Sequence, residues 1–217
     1  MKKVLAALAL AAVLVLGTLA SKQALKNHKT SVFPIDAIVR LHDSKTNRFF
    51  CSGTVISDKY VVTAGHCVGP QTFMGMPIAA GPSSVNIVFQ NGSTSVAKVG
   101  GVSLQVDQAI LIGNFAGKPQ AVMETDPQKI EYAMLNHHIK ACGFPLADAL
   151  YCITLKKAEI LGFFFAFDGQ VWPGMSGGPA IDLETGKLIG TNFAMTESGK
   201  AVIAGTEDEY TSTDTKP

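Results

Sequence analysis

"PGMSGGPAID", Pro173–Asp182, sets a serine among glycines and closes the run with proline, and the fold turns on how it is read. Gly174-Met175-Ser176-Gly177-Gly178 satisfies G-x-S-x-G, the strand-to-helix elbow that exposes a nucleophilic serine in α/β-hydrolases. That elbow needs its histidine later in the chain, and no histidine follows Ser176. The subtilisin-like order, using Asp36 and His66 before Ser176, fails on fold, because Pro179 and a strand-rich chain do not suit a helix there. What remains is local chemistry. Glycines let the backbone turn sharply and let N–H groups converge above the hydroxyl, as an oxyanion formed by attack on a carbonyl requires. Without partners for the serine, the stretch reads as a plain Gly-Ser loop.

Partners lie upstream. "VVTAGHCVG", Val61–Gly69, places His66 directly after a run of strand formers and one residue before a thiol. Alone, His66 reads equally as a core or surface residue, a metal ligand or a base. "VDQAILI", Val106–Ile112, sets Asp107 in an otherwise apolar strand. A carboxylate there is costly to bury without a partner, and an imidazole N–H is a suitable one. The order His66, Asp107, Ser176 is that of the chymotrypsin-type triad.

The surrounding chain reads as strands. Ile35–His42, Arg48–Ile56 and Tyr60–Ala64 are rich in β-branched and aromatic residues, and Val85–Val99 carries an Asn-Gly hairpin signal. Gly113–Pro127 dilutes the apolar pattern and reads as a crossover between halves. In the second half, 137–144, 150–160, 161–167, 177–182, 187–195 and 201–205 are strand candidates. Only "PLADAL" suggests a helical turn. "LGFFFAF", Leu161–Phe167, reads as a buried barrel strand in preference to a membrane-contact patch. Among 217 residues, 47% are hydrophobic and 16% charged, so a packed core is within reach. A formal net charge of +1 with no basic block gives no footprint for nucleic acid.

Residues 1–20 read as a signal peptide: Lys2 and Lys3, an apolar run from Val4, and small residues up to Ala20. The rival reading is a retained anchor, and membrane contact is expected only in that case. Residues 21–31 form a polar segment, 32–116 and 117–205 two β halves, and 206–217 a polar tail expected to fray. Export to a secreted or periplasmic location agrees with four cysteines, Cys51, Cys67, Cys142 and Cys152. They allow three pairings; chain proximity suggests Cys51–Cys67 and Cys142–Cys152. Neither pair has the spacing of a structural zinc site. His137-His138 is expected at a surface or strand edge rather than on a metal.

"CSGTVISDKYVVTAGHC", "DQAIL" and "PGMSGGP" together resemble the trypsin/chymotrypsin family of serine proteases, over roughly Val32 to Gly205 and closer to its short bacterial-type members. The resemblance implies an all-β fold of two six-stranded antiparallel β-barrels with the active site in the cleft between them. It implies His66 as general base, Asp107 as its orienter and Ser176 as nucleophile, with the N–H groups of Gly174 and Ser176 as oxyanion hole. It also implies a Cys51–Cys67 disulfide. Two positions depart from the family pattern. Met175 stands where zymogen-type members carry an aspartate, so the oxyanion loop is expected to be held by packing. Gln170 stands at the position that selects basic side chains in the trypsin branch, so cleavage after Lys or Arg is not implied. Gln170, Phe193 and Met195 are the candidate pocket residues, suited to a neutral or apolar side chain. The expectation is a monomeric serine endopeptidase acting on peptide or protein substrates without cofactor or metal. Its rivals are a catalytically silent binding protein on the same fold, and an esterase or other acyl hydrolase.

Overall fold

The computed structural model describes residues 32–73 and 76–206. The leader and residues 21–31, like 207–217, lie outside the described residues. After the 3-10 turn Ile35–Ala37 come β1 (Ile38–Asp43), β2 (Phe49–Val55) and β3 (Tyr60–Ala64). β4 (Gln71–Phe73) and β5 (Met76–Ala79) pair with each other alone. β6 (Ser84–Val88), β7 (Thr94–Ser103) and β8 (Gln108–Ile112) complete a barrel closed in the order β1-β2-β3-β8-β7-β6, antiparallel throughout. Side chains on a strand alternate between faces, and β6 turns Val85 and Ile87 into the barrel core while its neighbours are only half-buried. There they join Val39, Leu41, Val61 and Leu111, all fully buried. Burying each such side chain stabilises the fold by roughly 1.5–3 kcal/mol.

The second barrel repeats the plan. β9 (Ile139–Gly143), β10 (Tyr151–Leu161), β11 (Phe164–Asp168), β12 (Pro179–Asp182), β13 (Leu188–Met195) and β14 (Ala201–Gly205) close in the order β10-β11-β14-β13-β12-β9. Its core holds Ile139, Ala141, Phe167, Ala180, Ile189 and Ile203. Ile38 of β1 meets Cys142, Phe144 and Ile181 in a further apolar cluster, which seats one barrel against the other. The fold is therefore the two six-stranded antiparallel barrels that the resemblance implied.

Both cysteine pairs suggested by chain proximity are disulfides. Cys51–Cys67 ties β2 to the turn after β3, and Cys142–Cys152 joins directly opposed residues of β9 and β10.

Three local expectations need correction. "PLADAL" is not the one helical stretch: Pro127–Asn136, just after the crossover, is a 10-residue helix. Asp126 caps it by accepting from the N–H groups of Gln128 and Lys129, and Pro127 fits its first turn, where no N–H bond is needed. Ile130, Ala133 and Met134, at helical spacing, bury its inner face. "LGFFFAF" is buried only in its second half. Ala166 and Phe167 are core, whereas Leu161 and Phe163 at the β10–β11 turn are 47% and 62% exposed. Thr206 does not fray, because it is buried, its N–H donates to Ile189 C=O, and its hydroxyl donates to Glu124 C=O.

Candidate active site

β3 ends in a one-turn helix, Gly65–Val68, which carries His66. Asp107 sits at the mouth of β8, in the left-handed region at φ 49°. Asp tolerates that conformation better than most residues, and such strain gathers at functional sites. Its carboxylate, 3% exposed, accepts from the His66 backbone N–H at 2.7 Å and from Nδ1 at 2.9 Å. The two contacts fix both the turn and the ring. Nδ1 is thereby the protonated nitrogen, and Nε2 is left on the outer edge of the ring, 3.9 Å from Cys67 Sγ. Phe193 packs edge-on against the imidazole at 5.8 Å and is itself stacked on Phe164 at 4.7 Å.

Ser176 comes from the opposite barrel. The next residue, Gly177, has φ 77°, and a Cβ there would fall 2.0 Å from Thr63 Oγ1 and 2.7 Å from Ala64 N. Only glycine lets the serine loop press this closely on the end of β3, two residues before His66. Among the described residues no hydrogen bond of 3.5 Å or less joins Ser176 Oγ to His66 Nε2.

The loop around Ser176 is held almost atom by atom. Trp172 C=O accepts from Met175 N–H at 3.0 Å, closing a turn with Pro173 and Gly174 at its centre. Gly174 has φ 95°, so the turn is of type II, the type that Pro-Gly favours. Pro173 C=O accepts from Leu146 N–H at 2.9 Å, Gly174 C=O from Ser52 Oγ at 2.7 Å, and Ser176 C=O from Ser52 N–H at 2.8 Å. Met175 C=O accepts from Gly178 N–H at 2.9 Å and Asn192 Nδ2 at 3.1 Å. Gly177 N–H donates to Asn192 C=O at 2.8 Å. Of the five N–H groups from Gly174 to Gly178, two have no partner among the described residues: Gly174 and Ser176. Met175 is fully buried in the second barrel's core, so packing holds the position where an aspartate would stand in zymogen-type members.

A cavity of about 190 Å³ opens beside Ser176, lined among others by Val171, Trp172, Asn192, Phe193 and Met195. Gln170 is exposed and lies outside that lining; the wall there is made by Val171 and Trp172. A second opening, of about 450 Å³, is lined by Gly174 with Phe49, Phe50, Leu146 and Pro173. The two openings share Pro173 in their linings. Among the described residues the one group of three potential metal ligands in mutual reach is Cys51, His66 and Cys67, whose two sulfurs are spent in a disulfide.

Sequence reading did not single out Ser52, Leu146 and Asn192 as holders of the loop. Ser52 and Asn192 lie within stretches it had marked. The contact of Leu146 runs through its backbone, for which a sequence carries no direct signal.

Two closed barrels with an Asp-paired histidine on one and a glycine-framed serine loop on the other define the class of double-barrel peptidase domains. The family model of the trypsin-like peptidase domain matches residues 51–190, and the chain belongs to that family. Solved structures agree on the fold. The serine endoprotease from Yersinia pestis aligns at a TM-score of 0.59 and 22% identity, covering 78% of this chain and 58% of that one. The HtrA-type protease AlgW with decapeptide aligns at 0.60 and 18%, covering 79% and 61%. The active form of the Rv3671c protease from M. tuberculosis aligns at 0.59 and 20%, covering 79% and 76%. The chain thus spans about three fifths of the length of the first two. A search of curated proteins finds no significant match.

Proposed function

We propose that this protein is a serine endopeptidase, an exported enzyme that hydrolyses peptide bonds through an acyl-enzyme. The observation that carries the reading is the pair of unpartnered N–H groups on Gly174 and Ser176, in a loop whose carbonyls from Trp172 to Ser176 are all bonded. Two fixed donors beside a serine hydroxyl suit an oxyanion.

In this reading Ser176 Oγ attacks the scissile carbonyl carbon while His66 Nε2 takes its proton. Asp107 keeps the second proton on Nδ1 and stabilises the imidazolium. The carbonyl oxygen, now negative, is received by the two N–H groups. Collapse expels the amine, which takes its proton from His66, and leaves the acyl group on Ser176. Water, deprotonated by His66, then releases the acid and restores the serine. The walls at Val171, Phe193 and Met195 favour an apolar or neutral side chain before the cleaved bond. The two disulfides agree with export, and no helix among the described residues is long and apolar enough to cross a membrane.

The unbonded Ser176–His66 pair favours a second reading, a protease-fold binding protein without turnover. Catalytic hydrogen bonds are often long before substrate arrives, which is why the first reading is preferred. Hydrolysis of matched peptide and ester substrates, by the native chain and by Ser176→Ala, separates the readings. Peptide turnover lost by about 10⁶-fold in the variant supports the endopeptidase. Ester turnover alone supports an acyl hydrolase, and no turnover by the folded native chain supports the binding protein.

A further inference from the structure

The base and the nucleophile of the proposed reaction sit on different barrels, so something must set the two barrels in register. We propose that Ser52 is that positioning residue, a proposal that rests on the serine-peptidase reading above. Ser52 lies on β2 beside the disulfide-bonded Cys51 and is fully buried. Its backbone N–H donates to Ser176 C=O at 2.8 Å, and its hydroxyl donates to Gly174 C=O at 2.7 Å. The same hydroxyl accepts from Phe144 N–H at 3.0 Å, just past the end of β9. Its own carbonyl accepts from Thr63 Oγ1 at 2.7 Å, and Thr63 stands three residues before His66. One residue of the first barrel therefore grips the second: its hydroxyl holds Gly174 and Phe144, its backbone N–H holds Ser176, and its carbonyl is tied back toward the base.

The consequence follows from peptide geometry. In a trans peptide the C=O and N–H point in opposite directions, so holding a carbonyl aims the neighbouring N–H. Leu146 N–H on Pro173 C=O turns Gly174 N–H away from Leu146, and the bonds to Met175 C=O do the same for Ser176 N–H. Those holders, Leu146, Gly178 and Asn192, all belong to the second barrel and cannot place the loop relative to His66. Ser52 supplies the hydrogen bonds that join the loop to the first barrel, beside the close packing of Gly177 on Thr63 and Ala64. With its hydroxyl removed, Gly174 C=O and Phe144 N–H lose their partner together. The oxyanion donors are then free to shift against the base by a fraction of an ångström or more. A misplacement of about 1 Å can cost on the order of 10²-fold in rate.

The test is steady-state kinetics of native protein and Ser52→Ala on one peptide substrate, with binding of a matched peptide boronic acid. That probe forms a tetrahedral adduct, and its affinity reports transition-state binding. The expected result is a kcat lower by about 10- to 100-fold, KM within about 3-fold, and boronate affinity falling in parallel with kcat/KM. A merely structural serine would lower thermal stability and leave these ratios alone when assayed well below the variant's Tm. If Ser52→Ala does not fold, Ser52→Thr and Ser52→Val, close in shape and differing in the hydroxyl, carry the comparison. Thr is then expected to exceed Val in kcat by about 10-fold or more. Native turnover with Ser52→Ala, or with Val against Thr, equal in kcat within about 3-fold overturns the positioning role alone. No turnover by the native chain overturns the peptidase reading, and this proposal with it.

Discussion

Among the described residues, two buried aspartates each hold a histidine by Nδ1, one on each barrel. Asp107 meets His66 at 2.9 Å, and Asp182 meets His137 at 3.0 Å. Both carboxylates are withdrawn from solvent, at 3% and 1% exposure. Measured at that bond alone, the pairs are nearly the same object. They differ at the other nitrogen. His66 Nε2 faces no carboxylate among the described residues, with Cys67 Sγ at 3.9 Å and the side chain 41% exposed. His137 Nε2 faces Glu184 Oε2 at 3.4 Å, with Tyr132 edge-on at 5.4 Å, and the ring is 17% exposed. Asp182 is further occupied by the N–H of Glu184 and the hydroxyl of Thr185, which build the turn after β12. An Asp–His pair is thus not in itself a sign of catalysis. What meets the second nitrogen decides, and a ring set between two carboxylates is a structural tie.

The same substitution in the two pairs should therefore have opposite effects, and the largest contrast is in rate. Asp107→Asn is expected to lower kcat by about 10⁴-fold with the fold intact, because the wrong tautomer leaves no base at Nε2. Asp182→Asn is expected to leave kcat and KM unchanged. Equal losses in the two variants would erase the distinction drawn here. Stability should rank the other way. Asp182→Asn replaces one of two buried acceptor oxygens by an NH2 donor that faces another donor, and is expected to cost about 1–3 kcal/mol in urea unfolding, whereas a larger loss for Asp107→Asn would show that the first pair is the tie.

A smaller effect is expected beside the active cleft. Leu146 and Ala147 are consecutive left-handed residues, at φ 51° and 68°. Ala147→Gly removes one of these strains and is expected to raise stability by about 1 kcal/mol with no change in rate. A fall in Tm would contradict the strain. The smallest effect lies beside the second pair. Burial pushes the Glu124 carboxyl up, but the hydrogen bond from Lys187 and backbone N–H groups outweigh it and hold it below the usual carboxylate range. A lowered folded-state value adds stability above the unfolded value, lost as pH falls through the folded one. Glu124→Gln should therefore lose stability at neutral pH and approach the native curve in acid, below the ordinary glutamate range. Parallel curves across all pH would refute this.

Much of this was legible in the sequence because the signals were side-chain signals. Alternation in "VNIV" and the Asn-Gly turn specify the β6–β7 hairpin, and His66, Asp107 and Ser176 announce themselves by type and order. The helix Pro127–Asn136 carried its own marks, an Asp-Pro start and apolar residues at 130, 133 and 134. They were outweighed by the polar residues between them. Gln170 was placed in the pocket by family position, yet the wall at that point is built from Val171 and Trp172. The deepest gap concerns the loop. Its conformation is set by carbonyls of ordinary residues meeting Leu146 N–H, Asn192 and Ser52, and a main-chain acceptor looks the same at every position of a sequence. The second Asp–His pair was hidden for a related reason, since Asp182 and His137 meet only after the barrel closes β9 against β12.

The account rests on Ser176 being activated by the first pair and not the second. Intact mass and peptide mapping after timed exposure to a fluorophosphonate probe test this directly, in the native chain, Asp107→Asn and Asp182→Asn. The account predicts one adduct on Ser176, formed at the native rate in Asp182→Asn and slowed by orders of magnitude in Asp107→Asn. A folded native chain that takes up no probe, or one labelled equally fast in both variants, would contradict it.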